Sequence, residues 1–207
     1  MPDLDFDSVV GRTISLQGQP FESRVCPDQC LGRIGDAINS SEFPVRSPIA
    51  NRSDRAALLM VLESPHKYEF SGEPGPAKGF TGKMIRSHLQ ESLNLECIQG
   101  MDLLLINAIQ YQCSLGSPTN VYRDKIFRAA WSDGGMADFI GRVAAAWRPS
   151  DVIVNCCTKG SHRNVHEPLR SLVHTALLRD LPHISPMRRM HPASWRYKDN
   201  IAKEWHY

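Results

Sequence analysis

Four apolar runs in this chain each end in side chains that can do chemistry. Glu63, Ser64 and His66 follow the first run, Asn107 and Gln110 close the second, Asn155 closes the third and His191 follows the fourth. A carboxylate supplies negative charge, and a hydroxyl orients water without adding charge. A primary amide offers a donor and acceptors from one group, enough to read the edge of a base. Taken singly, any of these residues could just as well cap a strand or a helix. A second feature is the stretch RRMHPASWRYK, where His191 and Trp195 sit among Arg188, Arg189, Arg196 and Lys198. Lys203 extends this basic strip, and Asp199 is its one acid. Such a local strip says more about phosphate binding than the net charge of +2.

The elements that must position these residues are legible from residue 56 onward. AALLMVL (56–62) is a continuous apolar run, as expected of a strand covered on both faces. MDLLLINAI (101–109) and DVIVNCC (151–157) repeat the pattern, and a weaker strand is expected within 183–190. Between the runs, Met84, Ile85, Leu89 and Leu93 fall on one helical face, with Thr81 as the expected N-cap. Phe139, Val143 and Trp147 mark a second helix. Val165, Leu169, Leu172, Val173 and Leu177 mark a third. The segment from Trp195 is open to a last helix. Strands alternating with helices predict an α/β three-layer sandwich around a central, mostly parallel four-stranded sheet. In such a sheet the ligand lies at the carboxyl ends of the strands, where the polar residues gather. Residues 1–55, rich in Pro, Ser and Arg around FPVRSPIANRSDR, read as an N-terminal arm or extension, and 56–207 as the domain proper. The chain has 207 residues, 42% hydrophobic and 22% charged, which places it among globular proteins. No apolar run approaches the roughly 20 residues of a membrane span. The acidic MPDLDFDS start lacks an apolar signal segment, so the expected location is cytoplasmic.

Three short motifs in this order resemble the uracil-DNA glycosylase superfamily over about residues 56–200. They are LESPHK (62–67) after the first strand, LLLINAIQYQ through Asn107, and HPASWR (191–196), with GFTG placing Phe80 between the first two. The resemblance implies a uracil-DNA glycosylase-like fold and a monofunctional DNA glycosylase, which flips a base out of the stack and hydrolyses its N-glycosidic bond. It implies His191 as donor to the departing base, Phe80 as the ring under the flipped base and Asn107 as the reader of its edge. It also implies Trp195 as the wedge that fills the vacated stack. Arg188, Arg189, Arg196 and Lys198 would hold the backbone phosphates.

The first motif departs from the family twice. Where one branch has an aspartate for the attacking water, this chain has Ser64. Another branch has a glutamate at the position of Glu63, so Glu63 is expected to position the water with Ser64 assisting. Where a tyrosine presses on C5 of uracil, this chain has His66. A smaller, polar residue there points to a base modified at C5, in its sharpest form the glucosylated hydroxymethylcytosine of phage DNA, in an enzyme of phage defence. The rivals are an ordinary uracil repair enzyme, a catalytically inactive DNA-binding module and a hydrolase of free nucleosides or nucleotides. No lysine matches a pocket position, so no Schiff-base lyase step is expected.

Six cysteines, 26, 30, 97, 113, 156 and 157, read as reduced thiols or metal ligands. An iron–sulfur cluster needs four thiolates, and Cys26, Cys30 and Cys113 supply only three, so no cofactor and no metal are expected. His162 and His166 lack a zinc-site pattern, and SGEPGPAKGFTGK lacks the spacing of a nucleotide-binding P-loop. The expected partner is DNA, with no membrane and a monomeric chain.

Overall fold

The computed structural model describes residues 4–14, 21–94, 98–116, 121–160 and 167–207. The described strands are β1 (Gln29–Arg33), β2 (Ser47–Pro48), β3 (Ala57–Leu62), β4 (Asp102–Asn107), β5 (Val152–Asn155) and β6 (Met187–Arg188). They form one sheet in the order β2-β1-β4-β3-β5-β6. β3 pairs in parallel with β4 and with β5, and β5 in parallel with β6. The four runs read from sequence therefore are four parallel strands. The expected four-stranded sheet is nonetheless corrected to a six-stranded mixed one, because β1 adds antiparallel to β4 and β2 antiparallel to β1. Both added strands lie within residues 1–55, so the described part of that segment extends the sheet. Its strands escape a reading of pattern because they are short. β1 also shifts register between Cys30 and Arg33, where Gly32 takes a φ of +74°.

Side-chain alternation explains why helices cover both faces. On one face Ala57, Leu59 and Val61 of β3, Leu104 and Ile106 of β4 and Ile153 of β5 join a core with α1 (Phe6–Thr13), α4 (Arg123–Ala130), α5 (Met136–Ala146) and α6 (Leu169–Asp180). On the other, Leu58, Met60, Leu62, Leu103, Leu105 and Val154 pack with α2 (Ile34–Ile38), α3 (Phe80–Leu93), Trp195 and Ile201. α3 starts one residue before the expected N-cap, with Gly79 in that place and no side-chain cap. α6 starts at Leu169, and Val165 lies outside the described residues. α4 was not expected. The segment from Trp195 forms only a short 3-10 turn at Lys198–Asn200, not a helix.

At the opposite end of the sheet from the strand carboxyl termini, Arg52 and Asp151 form a buried two-pronged ion pair at 2.7 and 2.8 Å. Asp151 also accepts from the Ala57 and Arg148 amides. It therefore ties the approach to β3 to the start of β5. Removing one partner of such a pair leaves an uncompensated buried charge. Asp151→Ala is expected to lower unfolding free energy by about 3–5 kcal/mol in a denaturant titration. A loss below about 1 kcal/mol would show that the pair does not staple the sheet.

Candidate active site

The carboxyl ends of β3 and β4 and the segments after β5 and β6 open on one cavity of about 400 Å³. Glu63, Ser64, His66, Phe80, Asn107 and His191, the six residues expected to bind and act on substrate, all line it. The gathering follows from the parallel register: Leu62 pairs with Asn107, and Val61 lies opposite Asn155. Asn155 itself serves as a cap. Its amide donates to Arg170 O at 2.9 Å, and its Oδ1 accepts from the Cys157 amide at 2.9 Å.

Glu63 is 3% exposed and continues the sheet, with its carbonyl accepting from the Ile109 amide at 3.0 Å. Its Oε1 accepts from Ser64 Oγ at 3.0 Å. Its Oε2 accepts from Thr158 Oγ1 and faces Arg123 Nε at 3.6 Å. Burial pushes the carboxyl up, while Arg123 and the two hydroxyls favour its ionised form. Arg123 and Thr158 are site residues that sequence reasoning missed. Thr158 lies three residues past β5 and could have been found by following that strand's end. Arg123 opens a helix that gave no pattern, behind Tyr122 at a φ of +60°.

His191 accepts from the Ala193 amide at its Nδ1, at 3.2 Å. That contact leaves the ring proton on Nε2, the outward nitrogen of a neutral donor. Burial, with Arg123 nearby, lowers its pKa to about 4. Asn107 is held by its backbone, whose amide donates to Asp28 Oδ1 at 3.2 Å. Arg142 then links the other Asp28 oxygen to the Asn107 carbonyl. The Asn107 amide nitrogen faces Cys26 Sγ at 3.8 Å, and its buried Oδ1 has no hydrogen-bond partner among the described residues. An unpaired buried acceptor in a cavity wall is suited to an N–H on a ligand. His66 caps the turn Lys67–Phe70, accepting from the Tyr68 amide at 3.4 Å. Glu69, also in the wall and unanticipated, accepts from the His66 amide at 3.2 Å and the Ala77 amide at 2.7 Å.

Comparison with protein-family models, with curated proteins and with solved structures finds no match for this chain.

The geometry corrects one expectation outright. Trp195 is 0% exposed, belongs to the core that α3 covers with Ile85 and Leu89, and donates its indole N–H to Met190 O at 2.9 Å. Buried with its polar atom satisfied, it is a core residue and no wedge. The neighbouring charges did not foretell this, because Arg196 and Lys198 turn to solvent while the indole turns in. The basic strip is partly spent inside the protein. Arg188 pairs with Glu204 at 2.6 Å and lies over the Trp205 and Tyr207 rings, and Arg189 donates to Ser92 O at 2.8 Å. Arg196 and Lys198 remain exposed.

Among the described residues no group of three or more His, Cys, Asp or Glu is arranged to hold a metal ion. Cys26, Cys30 and Cys113 are buried free thiols, each pushed up by burial and so poor thiolates. Cys97, His162 and His166 lie outside the described residues. No helix among the described residues is long and apolar enough to cross a membrane.

The state of His191 is directly measurable. Its pKa in the folded chain is about 4, against about 6.5 for a free histidine. Between those values the unfolded chain binds more protons, so the residue contributes stability at neutral pH that is lost as pH falls. A ¹⁵N NMR titration is expected to find His191 neutral with its proton on Nε2 down to about pH 5. A neutral ring with its proton on Nδ1 would remove Nε2 as a donor, and titration near 6.5 would show that burial does not hold the ring neutral.

Proposed function

We propose that the chain is a monofunctional DNA glycosylase on a uracil-DNA glycosylase-like fold, and that its substrate is a pyrimidine modified at C5. The observation that carries this is the convergence in one cavity of Glu63, His191 and the unpaired Oδ1 of Asn107. The volume lies within the roughly 300–1,000 Å³ of small-molecule pockets. In the reaction, Glu63 orients a water toward C1′ of the sugar and accepts its proton as the new C–O bond forms. Ser64 holds the carboxylate and helps to place the water. The N-glycosidic bond breaks with its electron pair on the base. His191 Nε2–H meets the base oxygen on which that charge develops, a preorganised donor in a dry site. Asn107 Oδ1 accepts from a ring or exocyclic N–H, and Phe80 offers its face to the ring.

Support for the C5-modified base comes from the His66 side of the cavity. There the wall includes His66, Tyr68 and Glu69, polar groups that can hydrogen-bond a hydroxylated substituent. Glucosylated hydroxymethylcytosine is the substrate such a wall suits best, and phage defence is the setting in which it occurs.

One observation favours a second reading, a hydrolase of free nucleosides. The burial of Trp195 removes the wedge that would have argued for duplex DNA. Mass spectrometry of released bases separates the two. The substrates are uracil-containing DNA, plain DNA, hydroxymethylcytosine phage DNA with and without glucose, and the matching nucleosides. Release of the glucosylated base from DNA is expected. Release from nucleosides alone would establish the second reading, and no release from any substrate would leave a binding module. With the active substrate, Glu63→Gln is expected to slow turnover about 10²- to 10⁴-fold and His191→Ala about 10²- to 10³-fold.

A further inference from the structure

Two rings of the cavity wall, and a third joined to them through Arg196, face solvent. Tyr68 is 63% exposed, Phe80 47% and Tyr197 56%, although aromatic side chains of this size usually lie mostly buried. Tyr68 and Phe80 line the cavity itself. Cations are interleaved with them: Lys67 Nζ sits 5.1 Å from the Tyr68 ring, and the Arg196 guanidinium lies 5.9 Å from Phe80 and 4.7 Å from Tyr197. Lys67, Arg196 and Lys198 are all exposed.

Alternating rings and cations around a pocket have a specific use. Each ring offers a face on which any base can stack, and each cation meets a phosphate. Duplex DNA would demand more, since extruding a base leaves a hole that an apolar wedge must fill. Trp195, the residue in position for that task, is locked in the core. A single strand leaves no hole, and its bases need no unpairing before one enters the cavity.

We propose that this rim is a platform for single-stranded DNA. Tyr68 and Tyr197 stack the unpaired bases that neighbour the one in the cavity, while Lys67, Arg196 and Lys198 hold the phosphates between them. The proposal rests on the glycosylase reading for the occupant of the cavity, but its test does not.

Fluorescence anisotropy with an unmodified, mixed-sequence oligonucleotide of roughly 16 nucleotides and its duplex measures binding without any base release. The single strand is expected to bind about tenfold tighter or more. Tyr197→Ala and Tyr68→Ala should each weaken that binding by about 5- to 150-fold, the loss of one base stack, while Tyr197→Phe keeps the ring and the affinity. Arg196→Ala should reduce the salt dependence by about one phosphate contact. Because all these side chains reach solvent, unchanged melting temperatures confirm that the variants fold. Equal or tighter binding of duplex, or parental affinity in both alanine variants, would overturn the platform. Single-strand binding with no base released from any DNA would leave the platform standing and end the glycosylase reading. Equal base release from duplex and single strand would do the reverse.

Discussion

Glu63 is a carboxylate taken out of water at the end of the central strand, and its surroundings are organised by that constraint. A charge with 3% exposure must be matched by hydrogen bonds and an opposite charge, or it neutralises. Each neighbouring element sends a partner: Ser64 from the same strand end, Thr158 from beyond β5, and Arg123 from the start of α4. Arg123 is reached through Tyr122 at a φ of +60°, a conformation that costs a non-glycine residue roughly 1–2 kcal/mol. The fold accepts that cost where it places a cation beside the buried acid, as strained residues at functional sites do.

Residues 1–55 take their meaning from the same site. Asp28 holds the Asn107 amide, and Cys26 lies against the Asn107 side chain. Gln29 donates to Pro74 O and Arg46 to Pro76 O, so β1 and the approach to β2 grip the Gly- and Pro-rich loop that delivers Phe80. From inside, Glu69 holds the amide of Ala77, itself at a φ of +55°. α3 begins hard against this loop. A Cβ on Gly82 would meet Ala77 O at 1.9 Å, so only glycine lets the helix pack there. The antiparallel edge is thus a scaffold for two walls of the cavity.

What was legible in the sequence was what repeats. The continuous apolar runs announced β3, β4 and β5 because strands covered on both faces need apolar residues at every position. Polar residues at their ends then marked the cavity. What stayed hidden was set by long-range geometry. β1 and β2 form the antiparallel margin of the sheet with mixed burial, and β1 reaches its partner β4 from far away in sequence, with β2 pairing only to β1. Arg123 and Glu69 are charged residues in stretches without period, and nothing local distinguishes a buried charge from an exposed one. Trp195 failed in the opposite direction. Its sequence neighbours are charged, yet the 3-10 turn Pro192–Ser194 repeats every three residues, so Pro192 and Trp195 are both buried while Arg196 is exposed. The indole then fills the core beside α3.

The cavity's electrostatics follow from which wall groups give up their charge. His191, lowered to about 4, and Glu69, raised to about 7, are both neutral near pH 6. Their effects on stability have opposite signs. His191 withdraws stability as pH falls below the ordinary histidine value. Glu69 contributes stability when protonated and loses it as pH rises through about 7. Burial also pushes the Glu63 carboxyl up, while Arg123, Thr158 and Ser64 favour its ionised form. A neutral base and neutral sugar hydroxyls can enter such a site without meeting a field that repels them. In the proposed glycosylase reaction, positive charge developing on the sugar would face Glu63, and negative charge developing on the base would face His191 and Arg123. Because these groups are positioned by the fold before any substrate arrives, their stabilising effect in that reaction would grow with the charge separation itself, which is the condition for favouring a transition state over a ground state.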